Sequence, residues 1–189
     1  MVAQELCIEP CALSINLDDM ACRPMPGAIA AAAVTAAMGA ALICKAARLA
    51  LRHGLQGSER AEMEMVAERA HEQVSALIAL ADADTRAYRS VLDTRGMVQQ
   101  EPARQRAWQA AVDVPLCLAE ACAPLEDLAS SLLDRCPRVA RADLQVGEWL
   151  LQTASRAGRL AVDENIDNCG SCDEAGLLRL RLAALRERE

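Results

Sequence analysis

A run of uncharged, mostly small residues at positions 27–43 constrains the fold of this chain more than any other feature. Alanine has the highest helix propensity, and its small side chain lets neighbouring helices approach closely, so the run predicts a long helix in the middle of a bundle or at a dimer interface. The run is nearly long enough to cross a bilayer. It is weakly hydrophobic, however, and continues into Lys45, Arg48 and Arg52, so we interpret it as a buried helix and expect no membrane span.

The 189 residues are enough for one ordinary domain with its own core. Prolines and scattered cysteines make residues 1–25 irregular, and we expect an arm there with a short helix at about residues 13–20. Residues 26–189 are predicted to form a single helical domain. Glu5 and Glu9 stand where a secretory signal would carry basic residues before an apolar core, so we expect a cytoplasmic protein.

Apolar periodicity and turn residues predict an all-α fold, namely an antiparallel up-and-down bundle with an alanine-rich central helix. The predicted helices cover residues 26–52, 59–95, 102–136 and 143–166, with a short amphipathic helix after residue 170. Pro115 and Pro124 lack the amide donor of a helical residue and are expected to kink the third long helix.

Asp84 and Asp143 are two carboxylates that helical periodicity places on apolar faces. Asp84 shares its stripe with Leu77, Ala81 and Tyr88, where an ionised carboxylate is costly unless it is paired or lines a cleft. Both aspartates are therefore candidates for handling protons. Structural alternatives stay open, since Asp84 could cap or pair with a neighbouring helix and Asp143 could be a helix N-cap.

The histidines and cysteines limit the possible metal chemistry. His53 and His71 are the only histidines, which excludes a histidine-rich centre, and His53 is the more interesting because it lies beside Arg52 at a predicted helix end. The nine cysteines are odd in number and irregularly spaced, so a disulfide scaffold is not implied. Cys169 and Cys172 have the CxxC spacing of zinc and redox sites.

Cys7 and Cys11 would be needed to complete a four-thiolate zinc site with that CxxC pair. No βαβ pattern surrounds the pair, so the sequence does not predict a thioredoxin-like redox role. We expect unpaired loop thiols, with structural zinc as the less favoured alternative.

The net charge of −7 and the lack of a basic run interleaved with aromatics argue against a nucleic-acid surface. Phosphate-loop, dinucleotide-binding and Gly-x-Ser-x-Gly patterns are also missing from the sequence. These observations leave a small molecule as the expected partner.

Four segments occur in the order found in a known family of folate enzymes. They are Pro26-Gly27 before the alanine-rich helix, residues 82–88 (DADTRAY), residues 114–120 (VPLCLAE), and residues 142–146 (ADLQV) leading to Asn165. Together they resemble the cyclodeaminase/cyclohydrolase family, known from formimidoyltransferase-cyclodeaminase and methenyltetrahydrofolate cyclohydrolase. The resemblance covers about residues 20–167.

This resemblance implies a homodimer and a cleft that holds a tetrahydrofolate derivative. It also implies acid/base chemistry at a C–N bond of the 5,10-methenyl group, as a cyclic amidine hydrolase or an ammonia lyase, with no metal or redox cofactor required. The residues implied to handle protons are Asp143, Asp84 and His53. The residues implied to contact substrate are Pro26, Gly27, Arg52, Tyr88 and Asn165.

The chain departs from the family pattern, and the departures leave three functions open. Ala28 and Ile29 replace glycines of a Pro-Gly-Gly-Gly-Ser turn, Ala142 replaces a serine, and a Gly-Lys-Lys-like stretch is reduced to Arg52-His53-Gly54. The chain is expected to be a folate cyclohydrolase or cyclodeaminase. The alternatives are a repurposed enzyme that cyclises or opens a non-folate molecule, and a non-catalytic dimeric binding or regulatory subunit.

Overall fold

The computed structural model describes residues 17–99, 101–169 and 172–187, with the backbone alone at 172–175. These residues confirm the all-α fold and contain no strand. The helices are α1 (Leu17–Cys22), α2 (Ala28–Leu51), α3 (Gly57–Asp93), α4 (Pro102–Leu132), α5 (Arg138–Asn165) and α6 (Cys172–Arg186), with a 3-10 turn at Ile166–Asn168. The boundary predicted between an arm and a domain at residues 25 and 26 stays a prediction.

The alanine-rich helix α2 is central, as predicted. It packs along both α3 and α5, while α4 closes the bundle from the opposite side by packing on the same two helices. By length and composition α2 could cross a membrane, but 56% of its most apolar stretch is buried inside the bundle. That burial fits the core helix expected from the sequence.

Glycines set the distance between the helices at two crossings. A Cβ added to Gly39 on α2 would lie 2.7 Å from the carbonyl oxygen of Gly147 on α5. A Cβ added to Gly158 would lie 2.5 Å from the carbonyl oxygen of Pro115 on α4. Backbone atoms cannot move aside as a flexible side chain can, so α5 approaches both neighbours at distances that only glycine permits.

Pro115 and Pro124 lie within α4, which continues from Pro102 to Leu132 as one helix. The expectation of one long helix containing both prolines is therefore confirmed. Each proline removes one backbone donor from the helix, and the carbonyl it would have served needs another partner.

Helix α5 begins five residues earlier than predicted, because Pro137 occupies its N-cap and helix-forming residues follow at once. Asp143 is therefore the sixth residue of α5, and the N-cap role considered for it is wrong. The spacing of Val146, Leu150, Ala157 and Leu160 in the sequence predicts that these residues form the buried face of α5. In the structure Val146 and Leu160 are exposed, whereas Leu144, Leu151 and Ala154 are buried. The predicted face was wrong because the apolar residues of α5 fit two different faces of the helix.

The C-terminal helix α6 packs against α4 and the end of α5. Leu178, Leu182 and Leu185 join Val112 and Leu116 in a second buried cluster. Arg181 donates from Nε and Nη2 to the two carboxylate oxygens of Glu120 on α4, at 2.8 and 2.7 Å. Apolar packing and this two-point ion pair together fix the helix on the bundle.

Candidate functional site

An ion pair between α2 and α5 brings one predicted site residue next to a lysine. The Lys45 Nζ lies 2.9 Å from Asp143 Oδ2 and 3.1 Å from Asp143 Oδ1. The Lys45 side chain is 63% exposed and that of Asp143 only 26% exposed. The carboxylate thus lies at the edge of the seam between the helices, while its cation extends into solvent, where it could reach a bound molecule.

A basic groove of about 440 Å³ opens beside this pair, between α2 and α3. Its lining includes Lys45, Arg48 and Arg52 from α2 and His71 from α3, over an apolar floor that includes Val74. The lysine and the two arginines come together in a chain whose net charge is −7. The groove therefore has the electrostatic character needed for an anionic ligand.

Sequence reasoning identified Arg52 but missed Lys45, Arg48 and His71. The signal was present, because residues 41, 45, 48 and 52 follow the spacing of one helix face. His71 is exposed, as expected, and its place in the groove could not be read from α3 alone. His53 lies just beyond α2, donates its backbone N–H to the carbonyl of Ala50 at 2.9 Å, and is not part of the groove lining.

Asp84 belongs to α3 and lies beside the N-terminal end of α2, at the other end of that helix from the groove. Its carboxylate accepts a hydrogen bond from the backbone N–H of Ala30, in the first turn of α2, where no side chain of the N-cap residue Gly27 is available. A carboxylate in this position satisfies an orphan amide and interacts favourably with the helix dipole. The capping role considered from the sequence is therefore confirmed.

Burial raises the pKa of Asp84 above its ordinary value, and the Ala30 amide offsets part of that rise. The Asp84 carboxyl therefore binds a proton more readily in the folded chain than in the unfolded chain. Its ionisation lowers the free energy of unfolding as the pH rises from 3.8, the ordinary pKa of an aspartate, through the pKa in the folded chain. Asp84→Asn is therefore expected to gain stability relative to the parent chain across that window. Urea unfolding from pH 3.5 to 7 measures the difference, and a difference that stays constant with pH would contradict the expectation.

The two aspartates do not share one site within a chain. Asp84 contacts Ala30 and Asp143 contacts Lys45, and these two α2 residues are fifteen positions apart. At the rise of an α-helix, that separation is about 22 Å. Direct proton exchange between the two carboxylates is thus excluded inside one protomer.

Pro26, Gly27 and Tyr88 belong to the Asp84 end of the bundle. Gly27 is the N-cap of α2, and a Cβ added to it would meet nothing within 4 Å. Tyr88 lies one helical turn after Asp84 on α3 and is 40% exposed, so it is not the core residue that the apolar stripe predicted. Substrate contacts of these residues stay predictions.

Asn165 serves the backbone of α4. Its Nδ2 donates to the carbonyl oxygen of Ala111 at 3.1 Å. Ala111 precedes Pro115 by four residues, so this carbonyl is the one that the proline leaves without its helical donor. The side-chain amide replaces the missing backbone bond.

Asn165→Ala is expected to lower the free energy of unfolding by about 1–2 kcal/mol, because the Ala111 carbonyl loses its donor. Chemical denaturation measures the loss. In a Pro115→Ala background, the restored amide of residue 115 can bond to Ala111, so the same Asn165→Ala change should cost much less. An equal cost in both backgrounds would show that the amide does not compensate the proline.

A buried carboxylate that sequence reasoning missed lies between α4 and α5. Glu148 is 5% exposed and accepts hydrogen bonds from the Ser130 hydroxyl, from Gln145 Nε2 at 2.7 Å and from Gln152 Nε2 at 3.5 Å. These neutral donors satisfy the carboxylate inside the bundle. The correct phase of α5 would have placed this residue inside, since it is one helical turn after Leu144.

Cys169 lies between the 3-10 turn and α6, as a loop residue, but it is 3% exposed within the second buried cluster, so it is not the surface thiol expected from the sequence. The side chain of Cys172 and all of Cys7 and Cys11 lie outside the described residues. Within residues 17–99, 101–169 and the described part of α6, no three side chains of metal-binding type come together. The zinc alternative stays untested at the CxxC pair itself.

Comparison with known proteins identifies the family. A family model described as "Formiminotransferase-cyclodeaminase" matches residues 18–177, which is most of the chain. The chain belongs to this family. Formimidoyltransferase-cyclodeaminase of Gallus gallus is 30% identical over 139 residues, covering 68% of this chain and 25% of the relative. The chain therefore spans about a quarter of the length of that curated family member.

A solved structure supports the fold of this family member. Formiminotetrahydrofolate cyclodeaminase from Thermotoga maritima superposes with a TM-score of 0.76 and covers 96% of this chain and 94% of that chain. Sequence identity between the two is 21%, so the likeness extends to the fold alone.

Proposed function

We propose that this chain is an enzyme that acts on a C–N bond of a one-carbon-substituted tetrahydrofolate, at the 5,10-methenyl group. The observation that carries the proposal is the contact between Lys45 and Asp143 at the edge of a basic groove. Membership of the formiminotransferase-cyclodeaminase family supports the folate class of substrate. The proposed reaction is acid/base chemistry that either consumes water in ring opening or releases ammonia in ring closure.

The groove supplies the binding part of the proposal. Reduced folates carry a glutamate tail whose carboxylates are anionic at neutral pH. Arg48, Arg52 and His71 line the groove and offer charge-assisted hydrogen bonds to such carboxylates. The apolar side chains of Leu49 and Val74 offer contact for the uncharged part of the ligand.

The ion pair supplies the proposed proton acceptor and donor. In ring opening, Asp143 takes a proton from the water whose oxygen bonds to the amidinium carbon. The bond from that carbon to N5 then breaks as the hydroxyl of the adduct becomes the formyl carbonyl and releases its proton to solvent. N5 keeps the electron pair of the broken bond, and the Lys45 ammonium donates a proton to it. In the cyclodeaminase direction, N10 bonds to the carbon of a protonated 5-formimino group, and Asp143 receives the N10 proton. The Lys45 ammonium then protonates the former imine nitrogen, the bond from the carbon to that nitrogen breaks, and ammonia leaves.

Two assays with the purified chain test the proposal and separate these reactions. Loss of the 5,10-methenyl chromophore above the buffer rate reports ring opening, and ammonia release from 5-formiminotetrahydrofolate reports ring closure. Either activity supports the proposal. The absence of both activities, at folate concentrations that saturate the protein, would overturn it.

A non-catalytic binding subunit is the second candidate, and one observation favours it. Asp84 caps a helix and Asp143 forms an ion pair, which are ordinary structural roles for both carboxylates. The groove between α2 and α3 gives such a subunit a place to bind a ligand, which a purely structural protein would not need. Tight binding of a reduced folate without turnover would favour the binding subunit, and failure to bind any reduced folate would favour a repurposed enzyme.

We further propose that two copies associate through an apolar face formed by α2 and α5. Met38 and Val146 flank the glycine crossing of these helices and are 41% and 39% exposed, and Trp149 is 57% exposed nearby on α5. Met38→Glu should convert a dimer into a monomer in sedimentation experiments, because burying an unpaired carboxylate is costly. Met65→Glu, at a similarly exposed methionine on α3, is the matched control. A monomeric parent chain would contradict this proposal.

A further inference from the structure

We propose that a second pocket, formed by α4, α5 and α6, binds a small molecule that carries a carboxylate or phosphate group. The pocket has a volume of about 210 Å³, which is room for about seven waters. It is lined by Gln152, Ser155, Arg156 and Arg159 from α5, Ala123 and Glu126 from α4, and Leu185 from α6. Neither the basic groove nor the Lys45–Asp143 pair contributes to it.

The lining of this pocket is rich in hydrogen-bond donors. Gln152, Ser155, Arg156 and Arg159 follow an i, i+3, i+4, i+7 spacing, so they form one continuous stripe on α5. Ser155 is 3% exposed, although hydroxyl side chains usually remain near solvent. A stripe that places a hydroxyl and two guanidinium groups at one cavity suits the oxygens of an oxyanion.

The charges favour an anionic ligand. The lining contains two arginines and one glutamate, which leaves one net positive charge. Glu126 can accept a hydrogen bond from a hydroxyl or amine of the ligand. This combination distinguishes the pocket from the basic groove, whose lining has cationic and no anionic side chains.

The pocket also joins α6 to the body of the bundle. Leu185 closes one wall and belongs to the buried cluster that holds α6 in place. A ligand here would contact α4, α5 and α6 together, so binding should protect α6 from local opening. The proposal does not depend on folate chemistry and can succeed or fail separately from it.

Calorimetric titration and thermal unfolding of the full chain test the site, with inorganic phosphate and acetate as separate probes and chloride at equal ionic strength as reference. We expect phosphate or acetate to raise the unfolding midpoint and to slow hydrogen exchange in α6. Arg159→Gln and Ser155→Ala should each weaken the binding constant about tenfold. Arg60→Gln, which removes an exposed arginine paired with Glu64 on α3, should leave it unchanged.

A further variant separates this pocket from the basic groove. If Arg52→Gln abolishes the anion effect while Arg159→Gln preserves it, the anion binds in the groove and the proposal is wrong. Stabilisation by phosphate and acetate that equals the chloride reference would also overturn it. Circular dichroism of Arg159→Gln and Arg159→Lys checks that a loss of binding does not come from unfolding.

Discussion

Asp143→Asn is expected to lower turnover of the proposed folate substrate about 100-fold or more, because the amide cannot take the proton that we propose the carboxylate accepts. Lys45→Gln should cause a loss of similar size by removing the proton donor that lies 2.9 Å from Asp143. The two side chains act as a unit, so the double variant should be only slightly slower than either single one. Initial rates of methenyl loss or ammonia release measure all three variants.

Stability measurements separate this catalytic role from a structural one. The Lys45 side chain is largely exposed, and exposed ion pairs contribute at most about 1 kcal/mol to folding. Lys45→Gln should therefore remain folded while it loses activity. Arg60→Gln breaks an exposed ion pair away from the groove and is the matched control. Full activity in folded Lys45→Gln and Asp143→Asn would rule out the proposed roles.

Gly158→Ala is expected to lower the free energy of unfolding by about 2 kcal/mol, although alanine is the better helix former. The added Cβ would lie 2.5 Å from the Pro115 carbonyl oxygen and 3.3 Å from Ala119 on α4. Both helices would have to separate, which disturbs the buried side chains on either side of the crossing. Urea denaturation of the parent and variant chains measures the change.

Gly176→Ala provides the matched control for that variant. Gly176 is also helical, but a Cβ added there would meet nothing within 4 Å. This change should raise stability by up to about 1 kcal/mol, because alanine loses less backbone entropy than glycine in a helix. If Gly158→Ala were as stable as Gly176→Ala, close approach of α4 and α5 would not be what requires the glycine.

Helix number and type could be predicted from the sequence, because they depend on local properties. The alanine-rich run identified α2, and the ends of α2 and α3 were placed within one or two residues by Gly54 and Gly96, which adopt the positive φ angles that glycine favours. The start of α5 was misplaced, since Pro137 was not recognised as its beginning. The buried face of α5 was also misassigned, because its apolar residues fit two faces of the helix, and this second error hid Glu148.

The candidate site was only partly accessible from the sequence. Asp143 was selected by resemblance to the family, whereas its partner Lys45 was passed over because a lysine was sought after the first helix and not within it. The substrate contact expected for Asn165 stays a prediction, and the structure shows that its side-chain amide donates to a backbone carbonyl on α4. That partner could have been anticipated only by knowing which helix faces Asn165.

The sequence by itself determined that this chain forms helices and where most of them end, because propensity and periodicity act over a few neighbouring residues. It also determined which family the chain resembles, through four short segments that occur in the family's order. The tertiary structure alone decided that Lys45 meets Asp143, that Asp84 caps α2, and that three basic side chains of α2 join His71 in a groove. These contacts depend on the rotation and axial register of one helix against another. The glycine crossings and the core packing fix that register throughout the bundle. It therefore cannot be predicted from any short segment of the sequence.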